Sequence, residues 1–153
     1  MSYRTWHNYG YGICTTNIET TPERIEDLLA LAPKFSAKVH DLLSEWEGEN
    51  GWTISDAVVA DYEEVAQEFD AGYYGLASLL RLVIEEAEGL ELVSCDNIDC
   101  HDFVLYPPFY PWQATDKDKD MTEEKLRQIF TKYVSILTDE TVTIEYQEVG
   151  NGG

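Results

Sequence analysis

The sequence predicts an α+β fold, an antiparallel sheet of about four strands with four to five helices packed mainly on one face. Three observations point there. Two-residue alternation marks strands near both ends, over residues 3–15 and 141–149. Apolar residues spaced by three and four dominate the stretch between them. One hairpin pattern, residues 90–106, interrupts the helices. With 153 residues, 44% of them apolar and 12% aromatic, one domain over 1–149 with a flexible tail at 150–153 is expected.

The first strand places Tyr9, Tyr11 and Ile13 on one face and Gly10, Gly12 and Cys14 on the other. Glycines weaken a strand unless something approaches closely. A helix crossing that face, or a ligand backbone approaching it, would account for them. Thr21 and Pro22 start the first helix, with Ile25, Leu28 and Leu29 as its apolar stripe. Pro33 ends it or opens the next, in which Phe35, Val39, Leu42, Leu43 and Trp46 recur at helical spacing. That helix is expected to close in a loop near Glu47–Gly51. Ser55 is the expected cap of a third helix with the stripe Val58, Tyr62, Val65 and Phe69. Tyr74 to Ala87, apolar almost all round, predicts a central buried helix ended by Gly89.

In the hairpin, Leu90, Leu92 and Ser94 alternate against Glu91, Val93 and Cys95. The turn falls near Asp96–Asp99, and Phe103 to Tyr106 return. Residues 106–112, YPPFYPW, read as an extended aromatic arm, either packed on the domain or offered to a partner. Thr122, followed by Glu123 and Glu124, caps a helix with the stripe Leu126, Ile129, Phe130, Tyr133, Val134 and Leu137. The last strand puts Val142, Ile144 and Tyr146 on one face.

Charge is the strongest functional signal. The net charge is −20, and residues 39–116 hold 18 acids against one cation, Arg81. Asp61, Glu64 and Glu68 share a helix face, flanked by Glu63 and Asp70, with no Lys or Arg between Val39 and Leu80. Each like-charge pair at such spacing costs roughly 0.2–0.5 kcal/mol. An unmixed face is therefore either a solvated surface or a functional one. Direct nucleic-acid binding is excluded on charge, because phosphates need cations. No apolar run approaches the ~20 residues of a membrane span. Three cysteines give no disulfide framework, and the N-terminus has no apolar signal core. The expectation is a protein of a bacterial host cytoplasm.

Chemistry-bearing motifs are sparse. Cys95, Cys100 and His101 lack the second half of a zinc site unless Cys14 or His7 joins them. Asp96–Asp99 lacks the remainder of a calcium loop. His40 reads as a helix-surface residue, and there is no nucleophile elbow or phosphate loop. No enzyme, cofactor or metal is expected.

Duplex DNA carries one charge per ~1.7 Å of axis. A rigid face built on Asp41, Glu45, Glu49, Asp61, Glu63, Glu64, Glu68 and Asp70 would attract the cationic groove of a basic nucleic-acid-binding protein. In size, charge and absence of catalytic motifs the chain resembles the small acidic anti-restriction and anti-CRISPR inhibitors of phages and mobile elements. It also resembles other small acidic proteins of gut-bacterial mobile elements, a likeness that implies no function. The first resemblance implies a nucleic-acid mimic that inhibits a CRISPR effector or restriction nuclease. It covers no specific motif, so it assigns no residue. The alternative is an interaction module using Trp6, Tyr110 and Trp112.

Overall fold

The computed structural model describes residues 5–50, 57–70, 74–97, 99–107 and 121–152. In order these form β1 (Thr5–Cys14), α1 (Pro22–Leu29), α2 (Pro33–Asn50), α3 (Val59–Gln67), α4 (Leu76–Glu88), β2 (Val93–Asp96), β3 (Asp102–Tyr106), α5 (Glu123–Leu137) and β4 (Glu145–Gly152). The strands make one antiparallel sheet in the order β2-β3-β1-β4. This is the α+β class that the periodicities predict.

The helices begin and end where local chemistry requires. Thr21 Oγ1 accepts the Arg24 N–H at 3.3 Å, with Pro22 opening α1. Thr122 Oγ1 accepts the Lys125 N–H at 3.2 Å to open α5. Gly89, at φ 68°, closes α4 with its N–H on the Glu85 carbonyl. α4 touches α2, α3, α5, β2 and β3, and Leu79, Leu80, Val83 and Ile84 are buried along it. It is the central helix of the layer.

Several boundaries differ from the sequence reading. α2 continues through Glu47 to Asn50 instead of closing in a loop there. α3 starts after Val58, which is 56% exposed and does not join the buried stripe. Its N–H is held by the Asp61 carboxylate at 2.8 Å, so the acid three residues on does the capping. The expected cap, Ser55, lies outside the described residues. Leu90 and Leu92 are buried ahead of β2, with the Leu92 N–H on the Glu85 carboxylate at 2.9 Å. β4 begins at Glu145, after Val142 and Ile144, and Tyr146 is 59% exposed. Residues 150–152 are strand and not tail, because Gly150, Asn151 and Gly152 pair with His7, Trp6 and Thr5.

The glycine face of β1 has an unexpected cause. Tyr11 and Ile13 face the helices, while Cys95, Phe103, Leu105 and Val149 form a second buried cluster on the opposite face. The sheet curls towards that cluster until its two edge strands, β2 and β4, meet. Inside the curl, β3 lies directly against β1. A Cβ at Gly10 would sit 2.5 Å from the Tyr106 carbonyl oxygen, and one at Gly12 would sit 2.9 Å from the Leu105 Cα. Neither a crossing helix nor a ligand explains the glycines. The neighbouring strand does.

One polar cluster joins three helices. Glu26 of α1 bonds His40 Nε2 of α2 at 2.7 Å and accepts the Tyr62 hydroxyl of α3 at 2.7 Å. His40 thus bridges helices, where the sequence suggested a plain surface residue. Burial, then the hydrogen bond to Glu26, pushes the Tyr62 phenol well above its ordinary pKa. Tyr62→Phe is expected to lose about 1.5–3 kcal/mol, the value of a hydrogen bond to a charged group. A urea midpoint lowered at constant m-value would show it.

Candidate functional site

The acids proposed from sequence divide into three groups. The first is outward-facing. Asp41 and Glu45 are exposed on α2, Glu64 is exposed on α3, and Glu68 is exposed at the C-cap of α3. Both pairs step by four, away from the buried Val39 and Leu43 of α2 and the buried Tyr62, Val65 and Ala66 of α3. The two helices pack on each other, so two carboxylate stripes lie on adjacent rods. Asp61 is half-buried and its carboxylate is spent on the Val58 N–H. The Glu49 side chain lies outside the described residues.

The second group turns inward. Asp70 is a structural carboxylate, its side chain only 4% exposed. It pairs with Arg81 at 2.9 Å and accepts the hydroxyls of Ser78 and Ser94, each at 2.6 Å. Asp70 is therefore removed from the partner-facing set, since a carboxylate so placed cannot reach a partner. Arg81, the one cation of residues 39–116, also bonds Glu85 at 2.8 Å, and only 16% of its side chain is exposed. Glu86 bonds the N–H groups of Lys34 and Phe35 at 3.0 and 2.8 Å, which closes the N-terminus of α2.

Glu63 forms the third group with Asp102. Its carboxylate lies over Gly75, where a Cβ would sit 2.6 Å from Glu63 Oε2 and 3.7 Å from Asp102 Oδ2. The Glu63 side chain could swing away from such an atom, but Gly75 is also held at φ 56°, and that backbone conformation favours glycine. Burial, then the Asp102 charge, raises the Glu63 pKa. Burial, then Asp96, raises that of Asp102, against a lowering by His101. The folded chain thus holds these protons more tightly than the unfolded chain does. Their ionisation opposes folding above the raised values, and the penalty fades as pH falls toward the ordinary carboxylate range. Glu63→Gln is expected to raise the melting temperature by a few degrees at pH 7 and to change it little at pH 4. Paired thermal melts at the two pH values read this directly.

The cysteines do not converge. Cys95 is buried opposite Phe103, whereas Cys100 is exposed in the turn at φ 61°. Burial pushes the Cys95 thiol up to about 11. Asn97 organises this turn, its side-chain oxygen accepting the N–H groups of Asp99 and His101. Among the described residues, no group of three or more His, Cys, Asp or Glu is arranged to hold a metal ion. Nor is any helix there long and apolar enough to cross a membrane. Of the aromatic alternative, Trp6 is placed only by its backbone, opposite Asn151, and Tyr110 and Trp112 lie outside the described residues.

Sequence reasoning missed a cavity of about 420 Å³ at one end of the curl. Cys14 and Phe103 come from its strands, with Glu145 and Gln147 of β4, and Glu140 and His101 at its rim. The alternation of β1 placed Cys14 on this face, but no sequence signal brings residues 101, 140 and 145 beside it. Compared with known proteins, the chain matches no family model, no curated protein and no solved structure.

Proposed function

We propose that this protein is a non-catalytic acidic inhibitor that occupies the nucleic-acid-binding groove of a basic protein, such as a CRISPR effector or restriction nuclease. One observation supports this reading above the rest: Asp41 and Glu45 of α2, and Glu64 and Glu68 of α3, are exposed on two packed helices while Arg81 is sunk between carboxylates. Four residues of helix rise about 6 Å. Each rod therefore carries its two exposed carboxylates about 6 Å apart along its axis, a regular row of charge on a rigid support.

Attraction of this kind is screened within about 10 Å at 0.1 M salt and about 3 Å at 1 M. The test is a pull-down from bacterial lysate on the immobilised protein. A basic nucleic-acid-binding protein should be retained and then displaced by excess duplex DNA or high salt. A protein carrying D41N, E45Q, E64Q and E68Q should bind that partner on the order of 100-fold more weakly, at roughly 0.5–1 kcal/mol per exposed charge. A retained partner indifferent to salt, DNA and all four substitutions would sink the proposal.

A further inference from the structure

We infer that the cavity in the mouth of the curled sheet binds a small organic cation, a guanidinium or primary ammonium on an apolar stem. The mouths of closed or strongly curved sheets are common ligand sites, typically of roughly 300–1,000 Å³. At about 420 Å³ this one is of that size. Its walls are one-sided in charge. Glu140 and Glu145 stand exposed at the opening, and among the described residues no Lys or Arg lines it. Deeper in, Phe103, Cys14 and Ile18 supply apolar surface, including a ring suited to a cation.

Both rims are fixed in place. Buried Thr138 takes the Glu140 N–H on its hydroxyl at 3.1 Å, which holds the turn that presents Glu140. At the other rim, Thr16 Oγ1 accepts the Asp102 N–H at 2.7 Å, and the Thr15 N–H bonds the Asp102 carbonyl at 2.8 Å. These bonds pin the strand end beside His101. Carboxylates without a lining cation reject anions, and the field of a chain at −20 concentrates cations at its surface. Among the described residues, no ligands converge for a bare metal ion. The lining shares no residue with the exposed acids of α2 and α3, so the cavity stands independently of the mimicry proposal.

Agmatine is the probe, with N-butylurea as its neutral counterpart. In amide NMR spectra, agmatine should shift residues 14, 103, 141 and 145 along one saturating curve, and N-butylurea should not. An E140Q/E145Q protein, altered only at exposed side chains, should keep its dispersed spectrum and bind agmatine at least tenfold more weakly. Gly-Arg-Gly forms a second arm: tighter binding than agmatine assigns the site to a peptide-borne arginine, and weaker binding assigns it to a free amine. The inference is overturned if agmatine only produces unsaturated shifts along α2 and α3. Equal affinity in the E140Q/E145Q protein overturns it as well. Either result leaves the α2–α3 substitutions as a separate test of mimicry.

Discussion

Gly12→Ala should lower the melting temperature by about 10 °C, although it adds one methyl group to a strand. The new Cβ would lie within 3.0 Å of backbone atoms of β3, including the Leu105 Cα. A side chain can rotate away from such a contact, whereas a hydrogen-bonded backbone cannot. Overpacking ordinarily costs about 1–3 kcal/mol, and contact with a fixed strand belongs at the upper end. In a chain of this length each kcal/mol moves the midpoint by roughly 2–4 °C. Thermal denaturation followed by circular dichroism measures the shift. A midpoint within a degree or two of the parent would mean that β1 and β3 do not lie this close.

Asp70→Ala is expected to cost about 3–5 kcal/mol, the usual result of removing one member of a buried ion pair. The loss has two sources. Arg81 keeps Glu85 but loses its Asp70 partner, and the hydroxyls of Ser78 and Ser94 lose their acceptor. Asp70→Asn should fall between Ala and the parent, because an amide oxygen still accepts from a serine but carries no charge for Arg81. Pairing Asp70→Leu with Arg81→Met should recover much of the loss, and the double-mutant cycle isolates the coupling. By contrast Asp41→Asn, on the open face of α2, should move stability by no more than about 0.5 kcal/mol. If Asp70→Ala proves as mild as Asp41→Asn, the buried network contributes nothing measurable.

That contrast marks how far the sequence could be read. Thr21–Pro22, Thr122 with Glu123 and Glu124, and Gly89 announce helix ends through chemistry confined to a few neighbouring residues. Such signals survive into the structure because nothing distant must be known. The same is true of the stripes of α1, α4 and α5. Asp70 defeated the reading because Ser78, Arg81 and Ser94 approach it only once α4 and β2 are packed. Spacing alone gave it the same standing as Glu64 and Glu68. The glycines of β1 were legible as a demand for closeness, but the neighbour that demands it arrives from β3, far along the chain. Gly150 to Gly152 carry little strand propensity, and pairing with β1 overrides it. The exposure of Asp41, Glu45, Glu64 and Glu68 was legible because helical spacing, which needs only the sequence, sets each of them off the apolar stripe. The cavity needed residues from three distant stretches, 14–18, 101–103 and 138–147, and left no trace.

The pairing of β1 with β4 also bears on how the protein is made. β1 leaves the ribosome before the whole helical layer and β4 leaves after it. At about 5–20 residues per second, β1 waits on the order of ten seconds for its partner. During that interval β3 supplies only a short ladder, from Tyr11 to Cys14, and Thr5 to Gly10 have no registered neighbour. The glycine-rich strand is then an open template for any extended chain nearby. A nascent chain arrested before Glu145 would retain its helices and acidic face while exposing that edge. Translational stalling between α5 and β4 should therefore yield a product that aggregates through β1, even though the helical layer has been synthesised.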